Sequence, residues 1–271
     1  MNNFYKKAIW AIALVLGLYG TNLAAAVAPY IQRADYGADI SYLNSGSVTV
    51  FINIVVSDNT TTAPVGSQTP ATIREIRDAI IDGYHVDSDT GLLYFSFDVD
   101  TRVGGGVVLK SDVIRCNDSS CSTFDYFFDS DALNLKHINI NAFSLDPVNG
   151  DLIFSIDSAS MIAGNAYLAS DLIRYDGTAF SLEYGSINVT NIAKYRNIDA
   201  FSYADNGKYL VSFATDGVLN DIYEYDIAST IWSIAYTPTT LGDSYNPLNI
   251  NSLMIFTQPV PELLFSDGFE D

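Results

Sequence analysis

Asp82, Asn141, Asp199 and Asn251 recur along the chain at intervals of 52 to 59 residues, and Asp98 and Asp157 stand at matching places in the stretches that follow the first two. Carboxylate and carboxamide oxygens brought to one place suit a hard cation such as Ca2+, which takes about six to eight oxygen ligands. The same residue types at strand ends also accept hydrogen bonds from turn amides, and in a repeat they recur because the turn recurs. Both readings apply to Asp82, Asn141, Asp199, Asn251, Asp98 and Asp157 as candidate metal ligands. A third chemistry, glycoside hydrolysis, needs a pair of acids at a suitable separation, and a chain with 32 Asp and Glu offers many pairs.

What these residues can do depends on the elements that hold them. "NAFSLDPVNGDLIFSIDSA", from Asn141, alternates apolar and polar side chains, turns at Asn149-Gly150 and alternates again, which is the pattern of a β-hairpin. "DGYHVDSDTGLLYFSFDVD" from Asp82 and "DAFSYADNGKYLVSFATDG" from Asp199 repeat it. A second hairpin follows each: "SDVIRCNDSSCSTFDYFF" from Ser111, "SDLIRYDGTAFSLEYG" from Ser170 and "NDIYEYDIASTIWSIAYT" from Asn220. The two hairpins together predict a four-stranded antiparallel meander of strands a, b, c and d. Tyr126 to Asn141, Tyr184 to Asp199 and Tyr236 to Asn251 are each 15 residues apart, so the connection from d to the next a keeps its length. In such a meander the start of a, the end of b and the start of c share one end. That end gathers Asp82, Asp98 and Asp112, then Asn141, Asp157 and Asp171, then Asp199, Asp216 and Asp221, and finally Asn251 with Asp267.

The two ends of the chain complement each other. "YIQRADYGADISYLNSG", from Tyr30, matches a c–d hairpin with no a–b before it, Arg33 falling where Arg115 and Arg174 fall and Tyr42 where Tyr184 falls. "NSLMIFTQPVPELLFSDG", from Asn251, matches an a–b hairpin with no c–d after it. Joining the half-units completes a fourth unit and removes the exposed edges of a row of sheets. The expected fold class is all-β: a small β-propeller-like ring of about four four-stranded antiparallel blades, closed by pairing of the N- and C-terminal segments. A β-sandwich or an open β array is the alternative. The repeat domain is placed at 27–258, with repeat starts near 82, 141, 199 and 251. An insertion at about 45–80 holds the strand "SVTVFINIVV", a polar loop and a helical turn in "IREIRDAI", and 259–271 form a tail that can begin as a last strand.

Residues 1–26 have Lys6 and Lys7, an apolar run from Ala8 to about Leu18 and the small-residue end Ala24-Ala25-Ala26. This is the layout of a secretory signal peptide cleaved before Val27, and its apolar run is shorter than the roughly 20 residues of a membrane span. Removing Lys6 and Lys7 from the 13 basic residues takes the formal charge from −19 to about −21. So negative a surface repels phosphate backbones and anionic lipid, which excludes nucleic acid and membrane as partners and favours cations or basic ones. No later stretch qualifies as a span. Cys116 and Cys121, the only cysteines, flank "NDSS" in a hairpin turn and are read as a disulfide, in keeping with export.

Catalytic signatures are absent: there is no G-x-S-x-G elbow, no H-E-x-x-H pair and no phosphate-binding Gly-Lys motif, and "VGGGVV" at 103–108 sits in a b–c loop. "DSDTG" at 87–91 resembles the start of a calcium loop but lacks the later Glu and occupies an a–b turn. His85 stands where the other repeats have Ser144 and Ser202, as a surface or channel residue rather than a base. The 18 Tyr and 15 Phe fall mainly on strand positions and are assigned to core packing.

"FSDGFE" at 265–270 resembles the short tail, of the form L/I-F-x-D-G-F-E, that ends many exported proteins of gammaproteobacteria, and this implies an envelope or extracellular destination. "DAFS", "NGDLIFSID" and "SDLIRYDG" resemble the β repeats of uncharacterised bacterial secreted proteins over most of residues 30–258. That resemblance implies a propeller-like fold and brings no activity with it. The expected function is a secreted, periplasmic or cell-surface binding or interaction protein without catalysis, meeting a protein or glycan partner, with Ca2+ as a candidate ligand of its acidic face. The alternative is an extracellular carbohydrate-active hydrolase using paired carboxylates.

Overall fold

Gly91, Gly150 and Gly207 all have left-handed backbone, at φ 71°, 77° and 75°. A tight connection between antiparallel strands demands this conformation and side chains with a Cβ resist it, so these glycines fix where hairpins turn. The computed structural model describes residues 79–87, 89–185, 196–204, 207–214 and 222–236. Outside these it gives only the backbone strands at 33–38, 41–44, 47–50, 54–58, 66–67 and 250–256, together with the burial of Leu253. Residues 1–26, the segment "ELLFS", residues 259–271 and Asp216, Asp221 and Asp267 lie outside the described residues.

The described chain is all-β and its sheets are antiparallel. β1 (Arg33–Ala38), β4 (Ile54–Asp58), β5 (Gly66–Ser67) and β22 (Ile250–Phe256) form one four-stranded sheet in the order β22-β1-β4-β5. β6 (Ile81–Val86), β7 (Leu93–Phe97), β10 (Val113–Cys116) and β11 (Phe124–Phe128) form the next, in the order of the chain. The third is β12 (Ile140–Leu145), β13 (Leu152–Ile156), β16 (Leu172–Tyr175) and β17 (Phe180–Tyr184). The fourth is β18 (Ile198–Ala204), β19 (Lys208–Phe213), β20 (Ile222–Asp226) and β21 (Ile231–Tyr236). Small hairpins join the second and third strands of three sheets: β2 (Ser41–Asn44) with β3 (Ser47–Val50), β8 (Thr101–Val103) with β9 (Gly106–Val108), and β14 (Ser160–Ile162) with β15 (Asn165–Tyr167).

The first strands of the sheets touch in a cycle: β6 with β12, β12 with β18, β18 with β22, and β22 with β6. The two ends of the described chain share a sheet, Arg33 facing Phe256 and Ala38 facing Ile250. The division of labour between them differs from the sequence reading. The N-terminal segment supplies the second strand, β1, rather than a c–d hairpin, and Tyr42 lies in the small hairpin β2–β3. The stretch read as an insertion provides the third and fourth strands. "SVTVFINIVV" is divided between β3 and β4 because, as in the second and third sheets, a small hairpin precedes the third strand. With this correction the long first connection disappears: Ser67 to Ile81, Phe128 to Ile140, Tyr184 to Ile198 and Tyr236 to Ile250 span 12 to 14 residues in every case.

The inner strands of the second and third sheets alternate between two cores, because successive side chains point to opposite faces of a sheet. Tyr94 packs with Phe128, Phe143, Phe154 and Ile173 between the second and third sheets. Phe95 and Phe97 pack on the other face with Tyr84, Val103, Val108 and Ile114. Ile153, Leu172 and Tyr184 meet Phe201, Val211, Phe213, Tyr225 and Trp232 between the third and fourth sheets. Sheets covered on both faces bury nearly whole strands, as in β13, where all five residues are buried.

The first strand of the second sheet has Gly83 where its counterparts have Ala142 and Ala200. A Cβ there would lie 2.5 Å from Phe143 Cε1 and 2.5 Å from Ser96 Oγ, both too close. Gly83→Ala is expected to cost roughly 1–3 kcal/mol through overpacking, read as a lower urea midpoint. An unchanged midpoint would mean that the Phe143 ring can move aside at no cost.

Candidate functional site

Asp82, Asn141, Asp199 and Asn251 share a backbone feature. In each first strand the pairing register skips this residue: Ile81 then Gly83, Ile140 then Ala142, Ile198 then Ala200, and Ile250 then Ser252 have partners on the next strand. All four are therefore bulge residues. A bulge bends its strand and re-aims the extra side chain away from the sheet's own ladder.

The re-aimed side chains join neighbouring sheets. Asn141 Nδ2 donates to the Ile198 carbonyl at 2.7 Å and to Asp199 Oδ1 at 3.2 Å. Asn139 Nδ2 donates to Asp82 Oδ2 at 3.3 Å. The backbone reinforces the junctions, Ile140 N–H bonding to the Lys110 carbonyl and Ile198 N–H to that of Ala169. Asp82 and Asp199 are buried, and buried polar groups of this kind are stable only when hydrogen-bonded. The side chain of Asn251 lies outside the described residues.

The remaining acids at this end serve the connections. Asp98 Oδ1 accepts the Ile80 N–H at 2.6 Å, and Asp157 Oδ1 accepts the Ser158 hydroxyl at 2.9 Å. Asp112 Oδ2 accepts the Leu109 N–H at 2.8 Å and Asp171 Oδ2 that of Leu168 at 2.9 Å. Thus Asn141 and Asp199 come together across two sheets, whereas Asp98 and Asp157 are each engaged locally. Among the described residues no group of three or more His, Cys, Asp or Glu side chains is placed to hold a metal ion. Asp87 of "DSDTG" accepts the N–H groups of Asp89 and Thr90 and so closes the turn.

Further along the first strands, Ser144 Oγ accepts the Tyr203 N–H at 3.1 Å and lies 3.4 Å from His85 Nδ1. His85 is buried, with Tyr94 edge-on at 5.8 Å. Burial lowers its pKa from 6.5 to about 4, against the opposing pull of the Asp87 carboxylate.

A second polar cluster lies at the opposite end, between the third and fourth sheets. Arg174 Nη1 bonds to Asp146 Oδ2 and Asp151 Oδ2, both at 2.7 Å. Its Nε and Nη2 grip Glu183 at 2.7 and 3.0 Å, and the Tyr209 hydroxyl donates to the same Glu183 carboxylate. Burial alone would raise Glu183, but the hydrogen bonds from Arg174 and Tyr209 and the guanidinium charge hold it below its ordinary value. Sequence reasoning aligned Arg174 with Arg115 without finding this cluster. Asp146 and Asp151 flank the turn at Asn149-Gly150, so the signal was an arginine in the apolar strand "LIRY" opposite a turn bounded by two acids.

Cys116 and Cys121 form a disulfide that closes the β10–β11 turn. Within that loop Asp118 accepts the N–H groups of Ser120, Ser122 and Thr123. The crosslink contributes about 2 kcal/mol on the chain-entropy estimate. No helix among the described residues is long and apolar enough to cross a membrane.

No family model and no curated protein matches the chain. Solved structures do. A protein of unknown function from Bacteroides caccae aligns over 84% of this chain and 100% of its own, at 7% identity and a TM-score of 0.42. The Cps50 (Swd1) β-propeller domain of Myceliophteria thermophila aligns over 69% of this chain and 54% of its own, at 9% identity and a TM-score of 0.29. Virginiamycin B lyase from Staphylococcus aureus aligns over 77% and 60%, at 12% identity and a TM-score of 0.28. The chain's own strands define an all-β protein with four-stranded antiparallel sheets. At such scores the description rests on this chain's own strand pairing.

Proposed function

We propose that this chain is an exported binding module, a four-bladed propeller-like ring whose outer strands present side chains to a protein or glycan partner. The cyclic contact of β6, β12, β18 and β22 and the pairing of β22 with β1 support the ring. The leader-like residues 1–26 and the disulfide support export. One observation carries the binding reading: Tyr126, Leu182 and Ile234 stand at the same register position of three outer strands and are 44%, 48% and 42% exposed. Meanwhile the described acids of the repeat end are engaged by amides and hydroxyls of the fold itself. Apolar exposure that recurs at one register position of three outer strands supports a contact surface there.

Incubating the purified chain with a glycan panel and with arrayed peptides tests this reading. Retention of a ligand without turnover is expected. Release of sugar products, abolished by replacing a single carboxylate with its amide, would overturn it in favour of a hydrolase.

A further inference from the structure

β11, β17 and β21 are the outermost strands of their sheets, and among the described residues nothing pairs with their outer edges. Proteins protect such edges with charges, proline or short strands. β11 and β17 follow this rule. Asp125 on β11 pairs with Arg115 at 3.1 Å, and Glu183 on β17 pairs with Arg174 at 2.7 Å.

β21 does not. Its sequence, Ile-Trp-Ser-Ile-Ala-Tyr, has neither charge nor proline and is rich in residues that favour strands. Ile231 and Ile234 are 57% and 42% exposed, while Trp232 is buried and anchors the strand. The charged position of the neighbouring strand, Glu224, turns inward to Lys208 on β19. Nothing on β21 discourages an added strand.

Building on the binding-module reading, we propose that the outer edge of β21 docks an extended peptide segment carrying basic residues, which joins the sheet as a fifth strand. Main-chain hydrogen bonds supply the affinity in this mode, and alternate side chains supply selectivity. Charge selects the occupant. The chain has a formal charge of −19, and the Asp226 carboxylate, opposite Ile231, accepts the N–H groups of Ala228 and Ser229 beside the edge. A second copy would bring an equal negative charge, and two six-residue edges alone fall short of the roughly 1,200 Å² buried by stable interfaces.

The test titrates the full chain with an acetylated, amidated heptapeptide, Lys-Val-Thr-Val-Thr-Val-Lys, at low and high salt, following hydrogen exchange of residues 231–236. Saturable binding that weakens with salt and protects these amides is expected. Ile234→Lys and Ile234→Glu should both weaken it by about tenfold or more, because either charge guards the edge, while Val148→Lys, in the exposed turn between β12 and β13, should leave it unchanged. Absence of binding overturns the proposal, as does tighter binding by Ile234→Glu, which would mean bare charge attraction. Self-association through β21 in light scattering would replace the peptide with a second copy and overturn it too. Peptide binding that protects other residues overturns the edge assignment and leaves the binding-module reading standing, whereas glycan turnover strikes that reading alone.

Discussion

Arg174→Met is expected to destabilise the protein by roughly 3–5 kcal/mol at neutral pH, the usual cost of removing one partner from a buried ion cluster. The guanidinium is the one cation bonded to Asp146, Asp151 and Glu183 among the described residues, and all four side chains are less than one-fifth exposed. Without it three carboxylates face one another with little water to screen them. The acid dependence should also change sign. In the native protein Glu183 is held below its unfolded value of 4.5, so the stability it contributes is present above that value and lost as the pH falls through the lowered pKa. In the variant, burial and the neighbouring Asp146 raise Glu183 instead, so protonation relieves repulsion and the deficit narrows on acidification. Urea unfolding at neutral and mildly acidic pH measures both. A deficit that stayed constant with pH would show that the loss comes from packing alone.

The second large effect is carried by His85. The unfolded chain protonates this residue near 6.5 and the folded protein only near 4, so stability is fully present above pH 6.5 and declines as the pH falls from 6.5 towards 4. A gap of that width corresponds to about 3 kcal/mol at the acid end. His85→Ser supplies the residue that Ser144 and Ser202 provide at the same place in the next two first strands. The variant loses packing against Tyr94 at neutral pH, yet its stability should be flatter across that window. Parallel pH profiles for the two proteins would mean that the imidazole does not titrate on unfolding.

Much of the fold was legible in the sequence because the turns declare themselves. Glycine at 91, 150 and 207 and the alternation around it placed three first-and-second-strand hairpins. The disulfide followed from a short loop between the only two cysteines. The sheet β22-β1-β4-β5 was harder. Its strands come from both ends of the chain, and the hairpin β2–β3 resembles a pair of outer strands in every local respect, so only pairing reveals that it projects between the second and third. The candidate site was legible as a period and illegible as chemistry. Asp82, Asn141 and Asp199 repeat visibly, but a bulge exists only by comparison with a partner strand. The direction it gives a side chain, across to the next sheet, cannot be read from one strand alone. For the same reason the partners of Arg174, drawn from a turn and from β17, were hidden although the arginine itself was conspicuous.

The seam between β1 and β22 joins residues more than 200 positions apart, Ala38 to Ile250. Every other strand pair in the four-stranded sheets is joined by a connection within its own repeat, so this one bears the largest entropy of closure, which grows with the logarithm of the distance spanned. Contacts so remote form late and slowly. The run of contacts from β6 through β12 and β18 to β22 is therefore only as durable as this clasp: thermal breathing should start there, and whatever tightens those two strands lengthens the lifetime of the whole.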